Sequence, residues 1–381
     1  MIYLDNGATS YPKPPEVIES FMDVMMNYCA NPGRAGHFMA ARTSQEIFKT
    51  RLVLARLFNI DTPGQIVFTK NCTEGLNMAF KGILREGEHV VTTSMEHNSV
   101  VRPLKALEKK DITTTIVPCS KTGELSVEAV RKAIRPNTRI IAVTAASNVT
   151  GTKMPLEEIG RLALRLGILM MVDGAQGAGH MEIDVKKHRI DILAVPGHKG
   201  LMGPQGTGLL YVREGIPVRP LLEGGTGSRS NQLDPELTFP ESYEAGTVNA
   251  PGIIALGEAA RVLNKIGVGA IENHERKLTE KLQEGIKDIA GVTLYGPKNY
   301  KKKTAVVAMN IDDMDCEKVA SLLNDKYGIA VRAGFHCSGL AHKTMGTERT
   351  GCVRMCPGFY TSEKEINDTI KAIKDIALSE K

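Results

Sequence analysis

Between residues 65 and 212, short runs rich in β-branched and aliphatic residues alternate with stretches of helical period. That alternation constrains the fold more than any other feature. Strands that return after a helix lie parallel in one sheet, and the helices cover both of its faces. The runs fall at 65–69, 89–93, 113–117, 139–144, 168–172, 191–195 and 208–212. In the interval 155–166, Leu156, Ile159, Leu162, Ala163 and Leu166 share one helical face. The expected class is α/β with a mostly parallel central sheet, and ligands on such a sheet bind beyond the carboxyl ends of its strands. After a loop-rich stretch at 223–251, helical period resumes to about residue 290 and βαβ-like pieces follow. The expected division is an N-terminal segment 1–15 packing near the site or the small domain, a large ligand-binding domain 16–250, and a small α+β domain 251–381.

Composition removes several partners. Over 381 residues, 48 basic and 43 acidic side chains leave +5, too weak a balance for a nucleic acid or an anionic membrane. Lys301 to Lys303 lack interleaved aromatics and read as a solvated loop. The first ten residues, MIYLDNGATS, have no basic-then-apolar leader, and no apolar run reaches the ~18 residues of a membrane span. Seven cysteines, an odd number in a chain long enough to do without staples, fit a reducing, cytoplasmic setting.

The strand ends carry the chemistry. The run at 168–172 stops at Asp173-Gly-Ala-Gln176, and the next strand ends in Pro196-Gly-His198-Lys199. Neighbouring strand ends then present a carboxylate, an amide, an imidazole and an amine together. An amine becomes nucleophilic at neutral pH through burial and a neighbouring cation, for which His198 is the expected source. An Asp can hold a pyridine nitrogen protonated, so Asp173 followed 26 residues later by Lys199 suits pyridoxal phosphate. For its phosphate, Thr73 in Asn71-Cys-Thr-Glu-Gly is placed to cap a helix whose positive end attracts an anion. His97, after the strand at 89–93, offers a flat ring to stack. Gly174, Gly177 and Gly179 do not make Gly-x-Gly-x-x-Gly, and no Gly-Lys-Ser/Thr loop occurs, so dinucleotide and P-loop sites drop out.

Taken together, Tyr3-Leu-Asp-Asn-Gly-Ala-Thr, Asn71-Cys-Thr-Glu-Gly, Ser94-Met-Glu-His-Asn, Ser147-Asn-Val-Thr-Gly, Val172-Asp-Gly-Ala-Gln, Gly197-His-Lys, Glu244-Ala-Gly-Thr and Arg332-Ala-Gly-Phe-His-Cys span the chain in order. In these stretches the sequence resembles the class V aminotransferase-like enzymes of fold type I, and within them the cysteine desulfurases and selenocysteine lyases. The resemblance implies that Lys199 links to the cofactor, Asp173 faces the pyridine nitrogen, Gln176 donates to the phenolic oxygen and His97 stacks on the ring. It implies Thr73 and His198 at the phosphate, with Cys72 beside them and Thr247 reaching in from a second subunit of a homodimer. Asn148 and Arg354 match positions that hold a substrate carboxylate, with Arg332 nearby, and a guanidinium fork suits that task.

Cys337 is the residue that decides the reaction. It follows a glycine turn, with Arg332 and His336 expected to raise its thiolate fraction. The resemblance implies that its thiolate attacks the sulfur of L-cysteine, keeps it as a persulfide and releases L-alanine, with a protein as the eventual acceptor. A selenocysteine lyase, or a class V lyase or epimerase that does not use the cysteine, is the alternative. A partner-dependent sulfur-transfer scaffold is the reading from outside catalysis. Several positions depart from the family pattern: Phe335 and Ser338 around the cysteine, Pro196 where Ser commonly stands, Cys72 in place of Thr, and a shorter loop at 224–230. Cys352 and Cys356 flank Arg354, and Cys356 is a candidate to relay the persulfide. The spacing Cys-x14-Cys-x3-Cys fits no common metal motif, so no metal is expected.

Overall fold

The computed structural model describes residues 1–33, 36–227 and 231–379. The chain opens with strand β1 (Ile2–Tyr3) and helices α1 (Pro15–Asn27) and α2 (Phe38–Phe58). It continues through β2 (Ile66–Thr69), α3 (Cys72–Ile83), β3 (His89–Thr93), α4 (Asn98–Leu107), β4 (Thr113–Val117), α5 (Val127–Ala133) and β5 (Thr138–Thr144). There follow α6 (Leu156–Leu166), β6 (Leu169–Asp173), β7 (Ile192–Pro196), β8 (Gly208–Val212), α7 (Ala250–Ile266) and α8 (Val268–Ile286). The remainder is β9 (Val292–Tyr295), β10 (Val307–Ile311), α9 (Cys316–Tyr327), β11 (Ile329–Ala330), β12 (Arg332–Gly334), α10 (Gly339–Met345), β13 (Cys352–Met355) and α11 (Glu363–Ser379).

Strands β2 to β8 form one seven-stranded sheet in the order β2-β8-β7-β6-β5-β3-β4. Only β8 runs against its neighbours β2 and β7, so the sheet is mostly parallel, as the alternation predicts. Alternate residues enter two separate cores. Phe68, Val91, Ile141, Val143, Met170, Val172, Leu193 and Val195 face one, and Val67, Val90, Ile140, Ala142, Leu169, Met171, Ile192 and Ala194 the other. Burial on both faces is why these strands read as continuous apolar runs.

Two local expectations are corrected, and the expected α+β character of the last third is met. Leu166 is exposed, because Gly167 adopts a left-handed conformation directly after it and turns the chain away from the α6 face. Helix α7 packs against α1 and α2 and puts Ile253, Leu256 and Leu263 in the first large core, so a division at residue 250 cuts between this helix and its packing partners. The last third is a four-stranded antiparallel sheet, β12-β13-β10-β9, in which β10 and β12 flank β13 and are joined through α9 as a split βαβ unit. Its core gathers Leu278, Leu282, Val307, Met309, Val353, Met355 and Ile373. The N-terminal strand β1 pairs with β11 beside this core, and Asp5 bridges Cys356, which brings residues from both chain ends to the edge of the large sheet. Among the described residues no helix is long and apolar enough to cross a membrane.

Candidate active site

The carboxyl ends of β2, β3, β5, β6 and β7 open into a cleft with a cavity of about 90 Å³. Cys72, Thr73, His97, Asn148, Asp173, Gln176, His198 and Lys199 all line it. Asp173 ends β6, and its Oδ1 accepts from the Ala175 amide at 2.9 Å and from the Cys72 thiol at 3.4 Å. Burial beside Asp173 pushes the Cys72 thiol up, so it stays a donor. Lys199 leaves β7 through a turn that two glycines permit. A Cβ on Gly179, whose φ is +82°, would lie 2.0 Å from the Gly200 carbonyl oxygen, so the loops after β6 and β7 touch backbone to backbone.

Burial lowers the Lys199 amine from the ordinary lysine value; the Asp173 carboxylate opposes that shift and the Arg354 guanidinium adds to it. His198 does not supply the expected neighbouring charge. Burial, with the ammonium groups of Lys199 and Lys13 close by, lowers its imidazole to about 4, so it is neutral near pH 7 and serves as a hydrogen-bonding group. Its Nδ1 is buried without a partner. The His198 carbonyl accepts from the Ser10 amide at 3.0 Å, the Thr9 hydroxyl at 3.0 Å and the Lys13 ammonium at 2.9 Å, which ties the N-terminal segment to the lysine turn.

Thr73 is not the helix cap. Asn71 Oδ1 takes the Glu74 amide at 2.9 Å, and Thr73 sits in the first turn of α3 with its hydroxyl 2.8 Å from that of Ser99. Ser99 also meets His97 Nδ1, at 2.9 Å from the hydroxyl and 3.0 Å from the amide. Because Nδ1 accepts that amide proton, the His97 ring is held in the Nε2–H tautomer, and burial lowers its pKa. Ser99 stands two residues beyond His97 and was not predicted; the pairing that reveals it, Thr73 with a residue 26 positions on, exists only in space.

Close enough to Lys199 and His97 for its charge to act on both, Arg354 in β13 is 2 % exposed and does not itself line the cleft. It donates to the Asn148 carbonyl at 2.9 Å and to Asp5 Oδ1 at 2.9 Å, and its Nε has no partner. Asp5 is a further residue missed as a functional group, although it lies inside the N-terminal stretch that carries the resemblance. Gln176 turns one amide proton to the Gly7 carbonyl at 2.8 Å and keeps the other for the cleft. Arg332, exposed on β12, stands in register with Arg354.

Cys337 is exposed, with φ at +58° after His336 at +48°. Two consecutive left-handed residues other than glycine need external restraint. Asn98 donates its amide to the Cys337 carbonyl at 2.8 Å, Asn148 Nδ2 donates to the His336 carbonyl at 2.7 Å, and the Ser338 hydroxyl donates to Asn148 Oδ1 at 2.8 Å. The side chain of Asn148 therefore braces the cysteine loop, beyond the carboxylate-holding role that the resemblance implied. His336 is buried, and burial with the nearby Arg354 charge lowers it to about 3, so it brings no positive charge to the thiol. Cys356 is buried beside Gly7 and Arg354, and burial raises its thiol pKa. Thr247 does not line this cleft; it lines a separate hollow with Arg51 and Glu244, and residues 228–230 of the neighbouring loop lie outside the described residues.

The donor set suits pyridoxal phosphate. A carboxylate is fixed at a strand end, an amine lowered by burial stands beside it, the His97 ring is held at the start of α4, and the orphaned imidazole nitrogen of His198 shares the cleft with the Thr73 hydroxyl at the positive end of α3. This is the site of a cofactor-dependent enzyme built on a doubly covered α/β sheet. The aminotransferase class-V family model matches residues 2–368, and the chain belongs to that family. Within it, the chain is 34% identical over 383 residues to a probable cysteine desulfurase of Methanothermobacter thermautotrophicus, covering 99% of this chain and 94% of that one. It is 35% identical over 388 residues to a probable cysteine desulfurase of Pyrococcus abyssi, covering 100% and 95%. The fold superposes on the apo structure of a cysteine desulfurase from Thermococcus onnurineus with a TM-score of 0.94 at 35% identity, covering 99% and 94%. On the Escherichia coli cysteine desulfurase CsdA in an S-sulfonic acid form it does so at 0.88 and 28% identity, again covering 99% and 94%.

Proposed function

We propose that this protein is a pyridoxal-phosphate-dependent cysteine desulfurase that converts L-cysteine to L-alanine and keeps the sulfur as a persulfide on Cys337. The observation that carries this reading is the brace on the Cys337 loop. Asn98 and Asn148, which follow the ends of β3 and β5, hold the backbone of the loop that carries the exposed Cys337 against two strand ends that open into the cleft of Lys199.

Asp173, Gln176, His97, Thr73 and His198 would hold the cofactor. When bound it supplies an electron sink for the pair left at the substrate Cα. The chain's own groups do the rest. Arg354, anchored by Asp5 and the Asn148 carbonyl, has a buried, unpartnered Nε for the substrate carboxylate. Lys199, lowered by burial, takes the Cα proton as a neutral amine and returns a proton to carbon. The Cys337 thiolate attacks the substrate sulfur: an S–S bond forms, the Cβ–S bond breaks, and its electron pair is protonated at carbon to give alanine. Mass spectrometry of the protein after turnover with L-cysteine should find one added sulfur atom on the peptide containing Cys337. Alanine release from L-cysteine that persists in Cys337→Ala would overturn the persulfide step, and survival with selenocysteine alone would favour a selenocysteine lyase.

A homodimer is part of this proposal. Thr247 stands away from its own chain's cleft, and Met22, Met26, Phe38 and Phe48 leave an apolar face exposed on α1 and α2. Delivery of the sulfur to an acceptor protein is supported by the exposure of Cys337 and of Phe335 beside it. A cytoplasmic setting agrees with an enzyme whose working group is a free thiol.

A further inference from the structure

Behind the cysteine loop lies a second cluster that the desulfurase reading does not use. His336 follows β12, His342 sits in α10 and Cys352 opens β13; they are 5 %, 0 % and 0 % exposed. One donor atom from each lies within 4.8 Å of the other two. Two of the ring nitrogens are buried without any hydrogen-bond partner, Nδ1 of His336 and Nε2 of His342. The other nitrogen of each ring is already engaged. His336 Nε2 lies 3.0 Å from the Cys352 carbonyl, which can only accept, and 3.5 Å from the Cys352 sulfur, so that nitrogen carries the proton and Nδ1 is a bare lone pair. His342 Nδ1 lies 2.8 Å from the Thr347 hydroxyl. Imidazoles that bind metals are commonly held in this way, one nitrogen on a carbonyl or hydroxyl and the other left for the ion.

We propose that His336, His342 and Cys352 form a binding site for a borderline-soft transition-metal ion of the Zn²⁺ class. Two imidazoles and one thiolate are a set such an ion accepts in tetrahedral geometry, with water in the fourth position. Binding forms two metal–nitrogen bonds and one metal–sulfur bond. The Cys352 thiol proton passes to solvent, both imidazoles bind neutral, and nothing is oxidised or reduced. Two buried unpartnered nitrogens each cost free energy in the ion-free protein, and one ion satisfies both. The spacing of 6 and then 10 residues between the ligands matches no short motif, which is why the sequence alone pointed to no metal. The ion would join the loop of Cys337, helix α10 and the strand of Arg354, and so fix the sulfur-carrying thiol relative to that arginine. The site itself does not depend on the desulfurase reading.

The test uses the cofactor-loaded enzyme, stripped with a chelator and equilibrated with Zn²⁺ against a competing chromogenic chelator. We expect one Zn²⁺ per chain in the wild type and in Cys337→Ala, and an affinity at least about tenfold weaker in Cys352→Ser and His342→Gln. Zinc-edge absorption should show one sulfur and two imidazole ligands, and this measurement stands even if a variant fails to fold. Absence of stoichiometric Zn²⁺ in the wild type overturns the site. So does loss of Zn²⁺ in Cys337→Ala with retention in Cys352→Ser, which would place the ion on the sulfur-carrying cysteine.

Discussion

Ser338 takes its importance from what it holds. Its hydroxyl satisfies Asn148 Oδ1 at 2.8 Å while Asn148 Nδ2 grips the His336 carbonyl at 2.7 Å, so one amide pins the loop on both sides of Cys337. The thiol must reach a substrate sulfur in the cleft, and a loop with two left-handed residues does not keep that aim unaided. Ser338→Ala removes one buried hydrogen bond, worth about 0.5–1.5 kcal/mol, and leaves an acceptor unpaired. We expect the cofactor absorbance to be unchanged and persulfide formation on Cys337 to slow by about 3- to 10-fold in single-turnover measurements. A wild-type rate would show that Asn148 braces the loop without Ser338. The sequence marks Ser338 as a departure from the family pattern, but not its use, because its partner lies 190 residues away.

Among the elements, the strands were legible and the connections were not. The seven strands of the large sheet are legible as β-branched and aliphatic runs; burial on both faces explains this for six of them, whereas the edge strand β4, largely exposed, shows itself by its β-branched residues alone. Helix α7 was misplaced for the same reason: an apolar helix carries no mark of which core it enters, and the Pro-rich stretch before it imitates a domain linker. Site residues at strand ends, Asp173 and Lys199, were found because the sheet rule names that edge; Asp5 acts through Arg354 and Ser99 through Thr73, partners distant in the chain. The contact between the β6 and β7 loops is a connection feature with a measurable cost. Gly179→Ala adds a methyl 2.0 Å from the Gly200 carbonyl oxygen at a φ of +82°. Left-handed strain and overpacking together should destabilise by about 2–5 kcal/mol in denaturant unfolding and weaken cofactor retention, since Gly200 adjoins Lys199. Gly167→Ala, with φ +65° and nothing within 4 Å, should cost only about 1–2 kcal/mol and leave cofactor retention alone. Equal losses in the two variants would show that the crowding at Gly179 relaxes freely.

For the whole molecule, two buried groups at different places set opposing pH dependences. Glu96 beneath the cleft accepts from Thr93 Oγ1 at 2.6 Å and from the Thr144 amide at 3.1 Å, with Oε2 unpartnered, and burial pushes its carboxyl up from 4.5 to about 8. The native protein then binds a proton that the unfolded chain has released. This stabilisation is fully present below pH 4.5 and is lost as pH rises through 8. Lys303 donates to Gln283 Oε1 at 2.9 Å, and burial lowers it from 10.5 to about 7. Here the unfolded chain holds the extra proton, so stability rises with pH between 7 and 10.5. Each group contributes a slope of at most about 1.4 kcal/mol per pH unit within its own window. The two contributions add because the groups stand apart, Glu96 tying β3 to β5 and Lys303 joining α8 to the strand-end segment at Thr152. Their sum has its minimum near neutral pH, where Glu96 has lost its advantage and Lys303 has not yet gained its own. Glu96→Gln keeps both acceptor contacts and removes the ionisation, so the difference in unfolding free energy from wild type should move in favour of the variant between pH 5 and 8, then level off. Lys303→Met should alter only the limb above pH 7. A difference between Glu96→Gln and wild type that stays constant from pH 5 to 8 would mean that Glu96 keeps its ordinary ionisation despite its burial.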